Sequence, residues 1–225
     1  MTELASHSTD YSVVESEPPE VLAQGLRIGS RLWASATAFF FFAFLFAYFY
    51  LRSLNSHGLF RPKHVDPSQT LGVLVTLALV AAAVLVRLGL ADHRAERRPA
   101  WRVKGVVAAV ALLAVLVLQI VEWSTLGFGP TDGGYASVFF GWTGLQLLFV
   151  LGLAYWLETT LATSFRYRGA QHERAAAEGA GDSHRTASDI ENPLVLVRPE
   201  LEAMSFYAMF LAGLAVVAWV ILYLL

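Results

Sequence analysis

The sequence predicts an all-α membrane protein, a bundle of five transmembrane helices with its N-terminus inside and its C-terminus outside. Three observations carry that prediction. The chain has 225 residues, 56% hydrophobic and only 15% charged, with a mean hydropathy of +0.53; soluble domains average about 25% charged residues. The apolar residues gather into five long continuous runs. The basic residues lie outside those runs and mostly on one side of them.

The first 28 residues read as a polar N-terminal tail. Residues 1–26 hold no Lys or Arg and do not have the shape of a signal peptide. Run one spans about Leu32–Leu51 and contains "FFFFAFLFAYFYL"; run two spans Leu71–Leu90, run three Gly105–Leu126 and run four Ala136–Thr163. Residues 29–165 are thus the segment of transmembrane helices 1–4. Residues 166–202 form a polar loop, rich in Ala, Gly and charge, expected in the cytoplasm as a solvated linker, in part helical. Residues 203–225 carry the fifth helix, with its apolar run at Met204–Leu225. Each run reaches the roughly 20 residues that cross a ~30 Å hydrocarbon layer. Only helices fit such runs, because backbone groups in lipid must be satisfied within the segment and barrel strands are short and alternating.

The basic residues set the orientation. Arg27, Arg31, Arg87, Arg94, Arg97, Arg98, Arg102, Lys104, Arg166, Arg168, Arg174, Arg185 and Arg198 share one side, thirteen of the sixteen Lys and Arg. Arg52, Arg61 and Lys63 hold the other. The positive-inside rule then places the N-terminus in the cytoplasm.

What the runs lack excludes several classes. A net charge of −2 gives no footprint for nucleic acid, and the chain has no Cys for thiolate metal sites or thiol nucleophiles. His7, His57, His64, His93, His172 and His184 all fall in the tail or loops, and the runs offer only Met204 and Met209 among the usual non-Tyr haem ligands. No haem, copper or di-iron site is expected in this chain, and His57 with His64 read as a solvated loop. No Pro breaks a run, and no catalytic triad or phosphate-binding loop is present. Two carboxyl groups lie inside the runs, Glu122 and Glu158.

Glu122 sits near the outer end of run three in "LQIVEW", with Gln119 three residues before it, on the same helix face. Two readings stand. Glu122 reaches the headgroups beside Trp123, or it is buried in an interhelical hydrogen bond, with a partner expected on run four. The stretch "GGYASVFFGWTG" follows. Gly133 and Gly134 are expected to close a tight turn. Ala136, Ser137, Gly141 and Gly144 read as small residues that admit a neighbouring helix. Tyr135 suits the aromatic belt at the membrane surface, Trp142 is a second amphipathic ring, and Phe139 and Phe140 fill space.

"LQIVEWSTLGFGPTDGGYASVFFGWTGLQLL" resembles the central segment of the cytochrome c oxidase subunit III family and its quinol-oxidase relatives. That family shows a Gln-x-x-Glu-aromatic group ending one helix, a short outer loop, then Tyr-Gly-Ser-x-Phe-aromatic and a Thr-Gly. Gln119, Glu122 and Trp123 match the first group. Tyr135, Ala136, Ser137, Phe139 and Phe140 match the second, with Ala for Gly, and Thr143 and Gly144 match the last. "FFAFLFAYFYLRS" resembles a family helix, and "SFYAMFLAGLAVVAW" keeps the position of its last one. The resemblance spans roughly residues 30–165 and 203–225. The departures are Ala38 for a family Glu, Gln146 and Phe149 for two His, and Met209 and Ala212 for a His and an Asp.

The resemblance implies a non-catalytic subunit III-like component of a respiratory haem–copper oxidase, multi-pass in a bacterial plasma membrane. It would pack on the catalytic subunit I beside other oxidase subunits and hold membrane lipids. Haem and copper would sit in a partner subunit. Gln119 and Glu122 keep a structural role, with Tyr135, Ser137, Thr143 and Gly144 as the helix-packing motif. A relative associated with nitric oxide reductase, or a small-molecule transporter component, are the alternatives.

Overall fold

A computed structural model describes residues 19–55, 58, 60, 61, 66–179 and 194–225. Among these there is no β-strand. The elements are α1 (Pro19–Ser53), α2 (Gln69–Arg94), α3 (Arg98–Thr125), α4 (Gly134–Gly179) and α5 (Leu194–Trp219), which passes directly into a π-helical turn at Val220–Leu224. All five helices contain a segment long and apolar enough to cross a membrane.

The termini of the helices follow local chemistry. Pro19 opens α1 with a pre-set φ and no orphan N–H, and Glu20 in its first turn and Arg52 in its last complement the helix dipole. Ser68 caps α2 by accepting from the Leu71 amide at 3.4 Å. His93 and Arg94 occupy the last turn of α2, so His93 lies on a helix rather than in the expected loop. Three residues then reverse the chain, with Glu96 at φ +58°, and Pro99 sits in the first turn of α3. Gly133, at φ +138°, takes a backbone conformation that a side chain would strain, and the helix starts immediately after it.

Helices overrun the apolar runs at several ends. α1 begins at Pro19, well before Leu32. α4 has 46 residues, about 69 Å of helix, and continues through Gly179. Its extension contains "AQHERAAAEG", whose Ala, Glu and Arg are good helix formers. α5 begins at Leu194 and carries Pro199 near its start, along with Glu200 and Glu202. The stretch 166–202 is therefore helical at both its ends; residues 180–193, together with the tail 1–18, His57 and His64, lie outside the described residues.

α5 is the central helix. It packs against α1, α2 and α4, while α2 and α3 form a close antiparallel pair and α4 bridges α3 to α1. Leu79, Leu112, Val150, Leu157 and Leu211 fill the middle of the bundle. A second, aromatic core lies where α3 ends and α4 begins, with Phe41, Tyr48, Tyr135, Phe139, Trp142 and Tyr223. The opposite end is polar. Arg27 of α1, Arg94 of α2 and Arg198 of α5 meet Glu202 at 2.9, 3.0 and 3.4 Å. Asp92, buried, pairs with Arg97 at 3.1 Å and with Lys104. Arg102 of α3 donates to the Ser164 hydroxyl at 2.9 Å and to its carbonyl at 2.6 Å.

Candidate functional site

The site grows from Glu122. Its side chain is fully buried on α3, and Gln119, one turn earlier, is 5% exposed. The Gln119 Nε2 donates to Glu122 Oε2 at 2.8 Å. The Tyr223 hydroxyl donates to Glu122 Oε1 at 2.7 Å. Both carboxyl oxygens are therefore occupied by side-chain donors. The headgroup reading of Glu122 is ruled out by this burial. The expected partner on α4 is replaced by Tyr223 at the end of α5, because the π turn carries that ring across to α3.

Two further helices, α2 and α4, hold that turn. A methyl group built on Gly72 of α2 would lie 2.3 Å from Tyr223 Cε1, so only glycine leaves room for the ring. Gln69 of α2 donates through Nε2 to the Tyr223 carbonyl. The Tyr135 hydroxyl of α4 donates to the Leu222 carbonyl at 2.6 Å. Carbonyls at a helix end have no partners of their own, and here two side chains supply them.

Tyr135 is thus not a membrane-surface aromatic. It is 0% exposed, with its amide bonded to the Phe60 carbonyl at 2.8 Å and the Arg61 guanidinium 4.4 Å above its ring. Its tip is spent inside the bundle instead of in headgroups. Phe139, Phe128, Phe60 and Tyr48 pack around it at ring separations of 6.1–6.5 Å.

The remaining motif residues divide. Thr143 accepts from Trp123 Nε1 at 3.1 Å and donates to the Phe139 carbonyl at 2.7 Å, which fastens α3 to α4. Gly144 lies over the same indole, since a methyl there would meet Trp123 Cη2 at 3.8 Å. Gly141 admits Phe44 of α1; a methyl would come within 2.5 Å of that ring. Ser137 does not face a helix. It is exposed, and its hydroxyl bonds the Pro130 carbonyl at 2.7 Å, fixing the loop before α4. Trp142 is buried against Phe41 at 5.5 Å.

Sequence reasoning missed Tyr223, Gln69 and Gly72. A tyrosine at a span end reads as a surface aromatic, and one glycine among seventeen has no local mark. It also missed Glu202, whose surrounding arginines come from three helices. Among the described residues, no three His, Cys, Asp or Glu stand close enough to hold a metal ion. Between α1, α4 and α5 lies an open cleft of about 590 Å³, walled by Trp33, Phe149, Trp156 and Tyr207 with Gly25 and Gly152. It lies toward the arginine-bearing end. Phe149, where the resemblance expects a His, is part of that wall.

The fold and the site define a class: a polytopic helical membrane protein whose interior polar groups tie its helices together. A family model for cytochrome c oxidase subunit III matches residues 11–181, which takes in α1 to α4. The chain belongs to the cytochrome c oxidase subunit III family. It is 29% identical to cytochrome c oxidase subunit 3 of Struthio camelus over 62% of this chain and 56% of that protein. It is 28% identical to that of Oryctolagus cuniculus, over 71% and 63%. The chain spans a little over half to about two thirds of the length of these relatives.

Proposed function

We propose that the chain is a non-catalytic subunit of a respiratory haem–copper oxidase in a bacterial plasma membrane. On this reading it packs on the catalytic subunit I, and haem and copper reside in that partner. The arginine-rich end faces the cytoplasm, in keeping with the positive-inside rule. Lipid occupies the cleft beside Trp33 and Phe149, whose apolar walls suit acyl chains.

One observation carries the structural role. Glu122 is the family-type carboxyl that the sequence retains, and both its oxygens are taken by donors from Gln119 and Tyr223. A group so enclosed fastens α3 to α5 and has no free oxygen for a passing substrate.

The test is purification of the chain from its native membranes by an affinity tag, followed by optical spectroscopy. Haem absorbance is expected with the intact assembly and is expected to leave when detergent strips the partners. An assembly without haem would refute the proposal.

A further inference from the structure

Glu202 marks one end of a groove. Arg27 of α1 and Arg94 of α2, from the two neighbouring helices, reach its carboxyl at 2.9 and 3.0 Å. α1 and α2 both pack on α5 but scarcely touch each other. Between them the face of α5 that begins at Glu202 continues at three- and four-residue spacing as Phe206, Met209, Gly213 and Val217. Phe206, Met209 and Val217 are 45%, 46% and 44% exposed, and a methyl on Gly213 would meet nothing within 4 Å. This groove is separate from the cleft between α1, α4 and α5. Gly25 and Gly29 of α1 line the cleft, whereas Arg27 and Arg31, two residues further on, stand about 200° round the helix.

The walls of the groove carry charge that the chain does not neutralise. Arg31 follows Arg27 by four residues, so it stands on the same face of α1, about 6 Å deeper. Arg87 precedes Arg94 by seven residues on one face of α2, about 10 Å deeper. Both are exposed, and among the described residues neither has an ion pair or a side-chain hydrogen bond. Glu202 shows what these two faces do with an anion, since arginines from both converge on it. One and two turns further in, α5 offers Phe206 and Met209 instead of a carboxyl. Arg87 lies within the apolar span of α2, where an unpaired charge is costly. A lone arginine there would stretch to any headgroup. Two of them on the walls of one groove, beside three more that share a single carboxyl, favour net negative charge.

We propose that this groove binds an anionic phospholipid, with its phosphate between Arg31 and Arg87 and an acyl chain along Phe206, Met209 and Gly213. The charge of the walls selects an anion. The apolar floor and the depth within the span select one carried on hydrocarbon, which excludes free phosphate. An acidic partner helix is the weaker fit, because it would have to bury a carboxylate in its own span. The site rests on the two walls and the floor, not on the oxidase reading.

The experiment uses the affinity-purified assembly of the full-length chain in phosphatidylcholine nanodiscs. A trace of phosphatidylglycerol carrying a photoreactive diazirine in its acyl chain is added, or phosphatidylcholine with the same chain, and mass spectrometry locates the adducts. Phosphatidylglycerol is expected to label residues 206–217 about fivefold or more above phosphatidylcholine. Arg31→Gln with Arg87→Gln removes that preference. It leaves the phosphatidylcholine label there, and the label at Phe149 in the cleft, unchanged, which reports an intact bundle. Arg31→Lys with Arg87→Lys keeps the charge and most of the preference, and decides the matter if the Gln pair disturbs folding. Equal labelling by the two probes, a preference that survives the Gln pair, one lost with the Lys pair, or a groove left unlabelled because a partner helix fills it would overturn the proposal. The readout needs no haem, so an assembly without haem refutes the oxidase reading and leaves this site standing.

Discussion

The Tyr223 hydroxyl donates to the Glu122 carboxyl at 2.7 Å, joining the π-helical turn that follows α5 to the last turns of α3. The two residues are 101 positions apart, and neither is exposed by more than 7%. This bond, with Gln119 on the other oxygen, closes one end of the bundle.

Removing the donor tests the bond. Tyr223→Phe keeps the ring over Gly72 and deletes only the hydroxyl. Hydrogen bonds between membrane helices average ~0.6 kcal/mol, but a buried acceptor left with one donor fewer costs about 1–3 kcal/mol. We expect a loss toward the upper range, measured by denaturant unfolding in detergent micelles. No change would mean that the hydroxyl has another acceptor.

Gly72 is the steric counterpart. Gly72→Ala is expected to expel the Tyr223 ring and to destabilise by about 1–3 kcal/mol, the usual cost of overpacking. In a Tyr223→Ala background the same change should be neutral or mildly stabilising, since Ala is the better helix former. The readout is the double-mutant cycle in thermal unfolding. Additive effects would show that the two residues do not meet.

Trp123 and Thr143 make a second, separate link, from α3 to α4. Thr143→Val removes the acceptor of the indole N–H and keeps the shape. A coupling of ~0.6 kcal/mol with Trp123→Phe is expected. Because this pair shares no hydrogen-bond partner with Tyr223, the Thr143→Val and Tyr223→Phe costs should add. Unfolding of the single and double variants checks both statements.

The orientation is open to a direct assay. With thirteen of sixteen basic residues on one side, a reporter placed after Leu225 is expected to read as external. A cytoplasmic reading would reverse the topology.

The fold was legible because lipid makes a simple demand. Runs of about 20 apolar residues can only be helices there, and all five appear. Their ends were not legible. Past the bilayer, helix formation depends on propensity, and "AQHERAAAEG" continues α4 where charge alone reads as loop. Gln119 and Glu122 were found because an acid in an apolar run is costly and conspicuous. Tyr223 was not, because its partner is set by a π turn and by a glycine on another helix, and no local spacing encodes either. Tyr135 was misplaced for a related reason. An amphipathic ring at a span end suits headgroups and buried carbonyls equally, and only the packing of Phe60 and Leu222 decides.

The most direct measurement takes the proposed oxidase complex, purified with Glu122→Gln or Glu122→Ala, and records retention of the chain and oxidase turnover together. Glu122→Gln preserves shape and hydrogen bonding, so the chain should stay bound and turnover should persist. Glu122→Ala should loosen the bundle and release the chain in part. If Glu122→Gln stops turnover while the chain remains fully bound, the carboxyl takes part in the chemistry and the structural account of this subunit is contradicted.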